Sequence, residues 1–236
     1  MCEIQNNNLF DKAVEMEASK TYIGMNDDFF FKQMVDLIFQ SGLRGAVWQK
    51  YESEIEQEFN HYKVKLVANF TQKDVERMLH NPKMLKHKKK IEAVIHNAKE
   101  IVAISEEYKG FWHFLDRQNI QELVEKLKSR MKWMGYTNAY AFLRYAGMEV
   151  TKPDLNVIRV LFRLRLIDDI KNNLATYKQI QKVVRKMAKA SGVKVKKVDF
   201  TLYMYGAGEK PFVKYAVCGK VSKCGECSVK QFCKIQ

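Results

Sequence analysis

Residues 131–147 read MKWMGYTNAYAFLRYAG. Just upstream, Leu123, Leu127, Arg130 and Met131 recur at helical spacing after Asn119, which can cap. The pattern predicts a helix ending near Met131, a tight turn at Gly135 and a second helix running to Gly147. Such a helix–hairpin–helix presents backbone N–H groups at the head of its second helix. They can bind a phosphate without reading any base. A plain αα-hairpin uses the same signals, so the flanking segments decide what the turn is for.

Those segments are helical as well. Phe30, Met34, Leu37 and Ile38 share one face after Asn26-Asp27-Asp28. Thr71 heads a helix through Val75, Met78 and Leu79, and Ile91, Val94, Ile95, Ala98, Ile101 and Val102 give a longer stripe. Ile180, Val183, Val184 and Met187 form another, ended by Ser191-Gly192. No stretch alternates long enough to demand a sheet, so the expected fold class is all-α. Turn signals at Gly24 to Asp28 and at Gly147 to Pro153 predict a contiguous helical domain over 27–147. A second helical domain then joins 1–26 to 148–236.

Two features carry chemistry. Asp154 follows Lys152-Pro153 and precedes a helix containing Val157, Ile158, Leu161 and Phe162. Locally it reads as an N-cap. Held at the mouth of a pocket, the same carboxylate could stabilise a cationic sugar or direct a water onto its anomeric carbon. The second feature is the C-terminal run Cys218-x5-Cys224-x2-Cys227-x5-Cys233, which holds four of the five cysteines. Four thiolates so spaced suit an iron–sulfur centre or zinc. A single central CxxC flanked by two lone cysteines points to a 4Fe–4S cluster, with zinc as the alternative. Disulfides fit poorly, because nothing marks a secretory leader.

Lys and Arg number 41 against 27 Asp and Glu, a formal net charge of +14. The excess recurs at 83–90, 126–132, 159–165 and 178–197. It makes a polyanion the expected partner, and nucleic acid before others. No stretch approaches a membrane span, and the acidic N-terminus lacks an apolar signal core. The expectation is an intracellular monomer.

Taken together, hairpin, Asp154 and cysteine run resemble the helix–hairpin–helix DNA glycosylase superfamily. Endonuclease III and the adenine glycosylases within it end in a 4Fe–4S loop of spacing C-x6-C-x2-C-x5-C, one residue longer in the first gap than here. Their Val-Asp-Thr-His-x-x-Arg-Val is similar to 153–160, Pro-Asp-Leu-Asn-Val-Ile-Arg-Val. The middle of the chain instead resembles the bacterial 3-methyladenine glycosylases, at Gln40-Ser-Gly-Leu43, Asp74 to Met78, Lys86 to Ile91, Ala93 to Ala98 and Lys132 to Phe142. That family lacks the catalytic Asp and builds a zinc site from terminal Cys and His.

The resemblance implies a two-domain helical glycosylase acting on double-stranded DNA that contains a damaged base. Asp154 would be the catalytic aspartate. Gln40 would fill the gap left by the extruded nucleotide, and Gly135, Tyr136 and Thr137 would hold the backbone. Thr137 falls where bifunctional members carry a nucleophilic lysine, and a hydroxyl cannot form a Schiff base. That makes the chain monofunctional. The first hairpin glycine is replaced by Trp133. Phe39, Trp48, Trp133 and Tyr136 could line an aromatic pocket suited to a cationic alkylated purine such as 3-methyladenine, although aromatics are more often core. The competing readings are an endonuclease III-like glycosylase and lyase for oxidised or mismatched bases, a non-catalytic DNA-binding module with a structural metal, and an RNA-binding protein.

Overall fold

The computed structural model describes residues 12, 15, 16, 19, 21–43, 45–171, 173–208 and 215–233. Among these there are helices and turns and no strand, as the periodicity predicts. None of these helices is long and apolar enough to cross a membrane.

The chain divides into two units, Thr21–Phe142 and Leu143–Gln236, the second taking Met1–Lys20 with it. Most of residues 1–20, and with them more than half of the predicted 1–26 segment, lie outside the described residues. Both divisions fall a few residues before the turn signals. Thr21 to Asn26 go with the middle unit because Tyr22 Oη donates to Asp116 and Asn26 caps the helix that follows. Leu143 to Gly147 go with the C-terminal unit because Leu143 O accepts from Met148 N, 2.9 Å, and Arg144 pairs with Asp199.

In the first unit, α1 (Asp27–Gln40), α2 (Gly45–Trp48) and α3 (Glu52–Glu58) lead through a 3-10 turn to α4 (Val64–Val67) and α5 (Gln72–His80). The long α6 (Lys88–Tyr108), then α7 (Phe111–Asp116), α8 (Ile120–Arg130) and most of α9 (Tyr136–Ala146) complete it. The acids opening α1 work beyond their own helix. Asp27 Oδ1 accepts from Phe111 N at the head of α7, and Asp28 Oδ1 accepts from Val64 N at the head of α4. Each satisfies a donor that a helix start leaves orphaned. The apolar stripe of α6 packs on α1, α4 and α7, around a core of Phe30, Phe31, Phe111, Phe114 and Phe142.

In the second unit, α10 (Leu155–Arg163), α11 (Leu174–Ser191) and α12 (Val195–Ala207) precede the cysteine segment. α12 and α10 approach closely at Gly206 on α12. A Cβ built there would lie 2.9 Å from Asn156 O and 3.1 Å from Val160 Cγ2 on α10. Glycine is required at this point by contact rather than by backbone conformation. Gly206→Ala must push α12 off α10, which is expected to cost about 1–3 kcal/mol. Chemical unfolding measures it, and an unchanged midpoint would show that the two helices part freely.

Candidate active site

Asp154 is the N-cap of α10. Its Oδ1 accepts from Asn156 N at 2.9 Å and Val157 N at 3.0 Å. The capping reading therefore holds. Both capping bonds use one oxygen, which leaves Oδ2 of a half-exposed carboxylate outside the cap. One side chain thus heads a helix and keeps an oxygen outside the cap.

The loop before Asp154 is fixed bond by bond. Thr151 N donates to Gln181 Oε1, 2.9 Å, and Thr151 O accepts from Gln181 Nε2, 2.6 Å, so one side chain of α11 takes both backbone groups. Lys152 N donates to Asp199 Oδ1 of α12, 3.0 Å. Asp154 N donates to Lys152 O, 2.9 Å. Asp199 is 2% exposed and its other oxygen accepts from Arg144 Nε of α9. Burial pushes the Asp199 carboxyl up to about 6 although Arg144 and the Lys152 N–H pull it down, and the charge of Asp154 adds to the rise. Lys152 Nζ donates to Tyr145 Oη, 3.0 Å. Burial lowers the affinity of that amine for its proton, but Tyr145 and Asp154 outweigh burial and hold it above the ordinary lysine value. At neutral pH it is an ammonium.

The hairpin lies in the other unit. α8 ends at Arg130 and α9 starts at Tyr136, as the sequence predicts. The left-handed turn residue is Trp133, φ +62°, and Gly135 is not left-handed. An indole at positive φ is strained, and its surroundings over-determine it. Nε1 donates to Ser41 Oγ, 2.7 Å; its carbonyl accepts from Asn138 Nδ2, 2.8 Å; and His87 packs edge-on at 5.5 Å. Lys90 Nζ, 5.7 Å from the ring, donates to Phe39 O at 2.9 Å and Ser41 O at 2.7 Å. Those carbonyls flank Gln40, which is exposed at the end of α1. Gly135 is exposed, and a Cβ there would meet nothing within 4 Å. Tyr136 Oη donates to Glu125 Oε1, 2.9 Å, so its ring is tied back to α8, while Thr137 lies in the first turn of α9.

The aromatic pocket needs correction. Phe39 is 0% exposed and packs against Phe59 at 5.8 Å. Trp48 is 6% exposed. Both are core and have no face for a base. Trp133 is half-buried but committed to Ser41. Lys90, counted with the basic stretch 83–90, is 3% exposed and belongs to the interior. Asp199, Gln181, Arg144 and Lys90 are the residues that motif reading missed. A signal existed for two of them. Lys90 falls on the stripe of Val94, Asn97 and Ile101, and Asp199 on the face of Val195, Val198 and Leu202, where a charge needs a partner.

None of the four cysteines is in a disulfide, and each is half-exposed. Among the described residues no three His, Cys, Asp or Glu side chains are gathered closely enough to hold a metal ion. The donor chemistry nevertheless suits thiolates. Arg163 Nη1 lies 3.5 Å from Cys218 Sγ, and Tyr205 Oη lies 2.9 Å from Cys227 Sγ. Arg163 also donates to Gly219 O, 2.8 Å, and Cys218 N donates to Tyr205 O, 2.9 Å. A guanidinium and a phenol hydroxyl beside sulfur are the kind of outer-shell partners that a metal-bound thiolate uses. In this segment Lys220, Lys223 and Lys230 are exposed, and Lys214 lies outside the described residues.

Residues 21–131 match the methyladenine glycosylase family. The DNA-3-methyladenine glycosylase of Haemophilus influenzae is 25% identical over 131 residues, which are 46% of this chain and 71% of that protein. Among solved structures, the 8-oxoguanine glycosylase/lyase of Methanocaldococcus jannaschii, bound to DNA containing 8-oxoguanine, superposes with a TM-score of 0.63. That match has 20% identity and covers 88% of this chain and 92% of the other. The 8-oxoguanine DNA glycosylase of Thermotoga maritima gives 0.59, 20% identity, and coverage of 85% and 90%. The fold is that of the helical DNA glycosylases, as the resemblance implies.

Asp199 supplies a pH test. Its folded value lies above its unfolded one, so the fold binds that proton more tightly. Its contribution to stability is complete in acid and is lost as pH rises from about 4 to about 6. The unfolding free energy of the wild type minus that of Asp199→Asn should fall across that window by roughly 2–3 kcal/mol. Denaturant titrations at stepped pH check it; a flat difference would mean that Arg144 holds the carboxylate ionised throughout.

Proposed function

We propose that the protein is a monofunctional DNA glycosylase of base excision repair, acting on double-stranded DNA and releasing an alkylated purine such as 3-methyladenine. The observation that carries the reading is Asp154, a carboxylate with one oxygen outside its cap, on a loop whose donors are tied to Gln181 and Asp199. A rigid negative charge at that place is what an N-glycosidic bond breaking with oxocarbenium character calls for. The match of residues 21–131 to the methyladenine glycosylase family and the Haemophilus influenzae relative support the glycosylase class and the substrate. The likeness to 8-oxoguanine enzymes, at 20% identity, speaks for the fold and not for the base.

In this reading the damaged nucleotide leaves the stack, Gln40 takes its place, and backbone donors near Gly135 hold the phosphate. The C1′–N bond breaks, and its electron pair departs with the base. Asp154 stabilises the sugar cation, and its carboxylate orients the water that adds at C1′ and releases its proton to solvent. The products are a free base and an intact abasic strand. A cationic 3-methylpurine is already a good leaving group, so the site needs no acid. No amine stands at Thr137, and Lys152 is held as an ammonium, which is no nucleophile.

The four cysteines would hold a 4Fe–4S cluster, Cys218 and Cys227 being the two whose sulfurs already face a donor. Bound, it would contribute structure, fixing the loop that carries Lys220, Lys223 and Lys230. Protein purified without oxygen should be brown, with about four irons per chain. One tightly held zinc would replace the cluster with the alternative metal, and absence of both would end the metal reading.

The function itself is tested with methylated duplex. Wild type should release 3-methyladenine faster than any oxidised base and leave the abasic strand unbroken, and borohydride should trap no adduct. Asp154→Asn should cut single-turnover excision by orders of magnitude while binding persists. Near-normal excision by that variant would reduce Asp154 to a cap. Trapping would make the enzyme a lyase, and release of oxidised bases alone would reassign the substrate.

A further inference from the structure

The face of α11 is a candidate surface that neither the hairpin nor Asp154 uses. Its sequence, LATYKQIQKVVRKMAKAS, contains five cations and no acid. Lys178, Lys182, Arg185, Lys186 and Lys189 are all exposed. Thr176, Tyr177, Ile180, Gln181, Val184 and Ala188 are the residues the helix buries. At about 100° per residue the five cations fall within an arc of roughly 100°, opposite the buried stripe. From Lys178 to Lys189 they span about 16 Å of helix. Among the described residues none of the five forms an ion pair. Several cations elsewhere are paired: Lys128 sits beside Glu125, Arg130 bonds Glu100 and Glu107, and Lys63 bonds Asp28.

We propose that this face of α11 is a second, sequence-independent docking surface for the phosphate backbone of duplex DNA, separate from the hairpin. The proposal rests on the DNA reading above. Its chemistry selects among polyanions. Duplex DNA presents one charge per about 1.7 Å of axis, so a 16 Å stripe runs alongside about ten phosphates. No aromatic side chain lies among the exposed residues of the helix, which leaves nothing on which unstacked bases could stack. Its apolar side is buried in the protein, which removes the face that a membrane-surface helix would insert. A straight cationic edge without apolar or stacking groups fits a rigid phosphate double row.

The test replaces the five residues together: Lys178→Gln, Lys182→Gln, Arg185→Gln, Lys186→Gln and Lys189→Gln. Glutamine keeps helix propensity close to that of lysine, and an unchanged thermal melt confirms the fold. The probe is an undamaged, fluorescently labelled 20-base-pair duplex titrated at several salt concentrations. The slope of log K against log salt should drop by about 0.9 for each phosphate the variant no longer neutralises, up to about 4.5 units in all. Single-turnover excision from methylated duplex at saturating enzyme should stay within about twofold, because Asp154 and its loop are untouched. The pair Lys182→Glu and Arg185→Glu should weaken binding more than the corresponding glutamines. An unchanged slope with normal excision would overturn the surface and leave the function standing. A wild type that does not bind duplex would overturn both. A slope change confined to single-stranded RNA, or to phosphatidylserine vesicles, would assign the face to another partner and refute the duplex.

Discussion

A single buried carboxylate organises the C-terminal unit. Asp199 accepts from the Arg144 guanidinium through one oxygen and from the Lys152 N–H through the other. A helix end, a loop and a second helix thereby share one group. Ion pairs so deeply buried rarely add net stability, because desolvation consumes most of the attraction. What they supply is geometry, since removing either partner strands a charge in the interior. Here the geometry fixed is that of the loop two residues before Asp154. Gln181 does the neutral half of the same work by taking both backbone groups of Thr151. A carboxylate meant to face a developing cation gains from being held before the reaction, because nothing then has to reorganise during it.

The first unit solves a different problem with the same means. Its hairpin needs a left-handed residue at 133, where a glycine would be the inexpensive choice, and places a tryptophan there. Strain of order 1–3 kcal/mol persists only where neighbours fix the conformation. Ser41, Asn138, His87 and Lys90 do so. The consequence is that the turn and the end of α1 become one piece, since Lys90 and Trp133 both bind Ser41. Gly135, relieved of the turn, sits exposed with open space where a side chain would be. A backbone that something large must approach closely is a reason to keep glycine at such a place.

Much of this was legible in the chain and some was not, for physical reasons. Helix periodicity located α1, α5, α6, α8 and α11, because one apolar face per helix is what burial demands. Asp154 was found twice, as a cap and as a motif residue, and the geometry keeps both roles open on separate oxygens. Phe39 and Trp48 were misplaced because the type of an aromatic does not say on which side of a helix the core lies. Asp199 and Lys90 were hidden for the converse reason. A lone charge counted by type reads as surface, and only the helical register it shares with apolar neighbours places it inside. Gln181 could not be seen at all, since its two bonds join positions thirty residues apart.

The same winding changes the meaning of the net charge. The formal excess of +14 counts every cation alike, yet Lys90, Arg144 and Lys196 are buried and bond carbonyls or carboxylates of the protein itself. They organise the fold and contribute little field outside it. On α8, Glu122 and Glu125 lie among the basic residues, and on α6 Glu92, Glu100, Glu106 and Glu107 do the same. The outward field is therefore uneven. It concentrates where a helix carries cations without acids, which among the described helices of four or more turns is α11. Composition indicates that the chain will meet a polyanion. Only the folded arrangement separates the cations spent inside from those that remain to meet it.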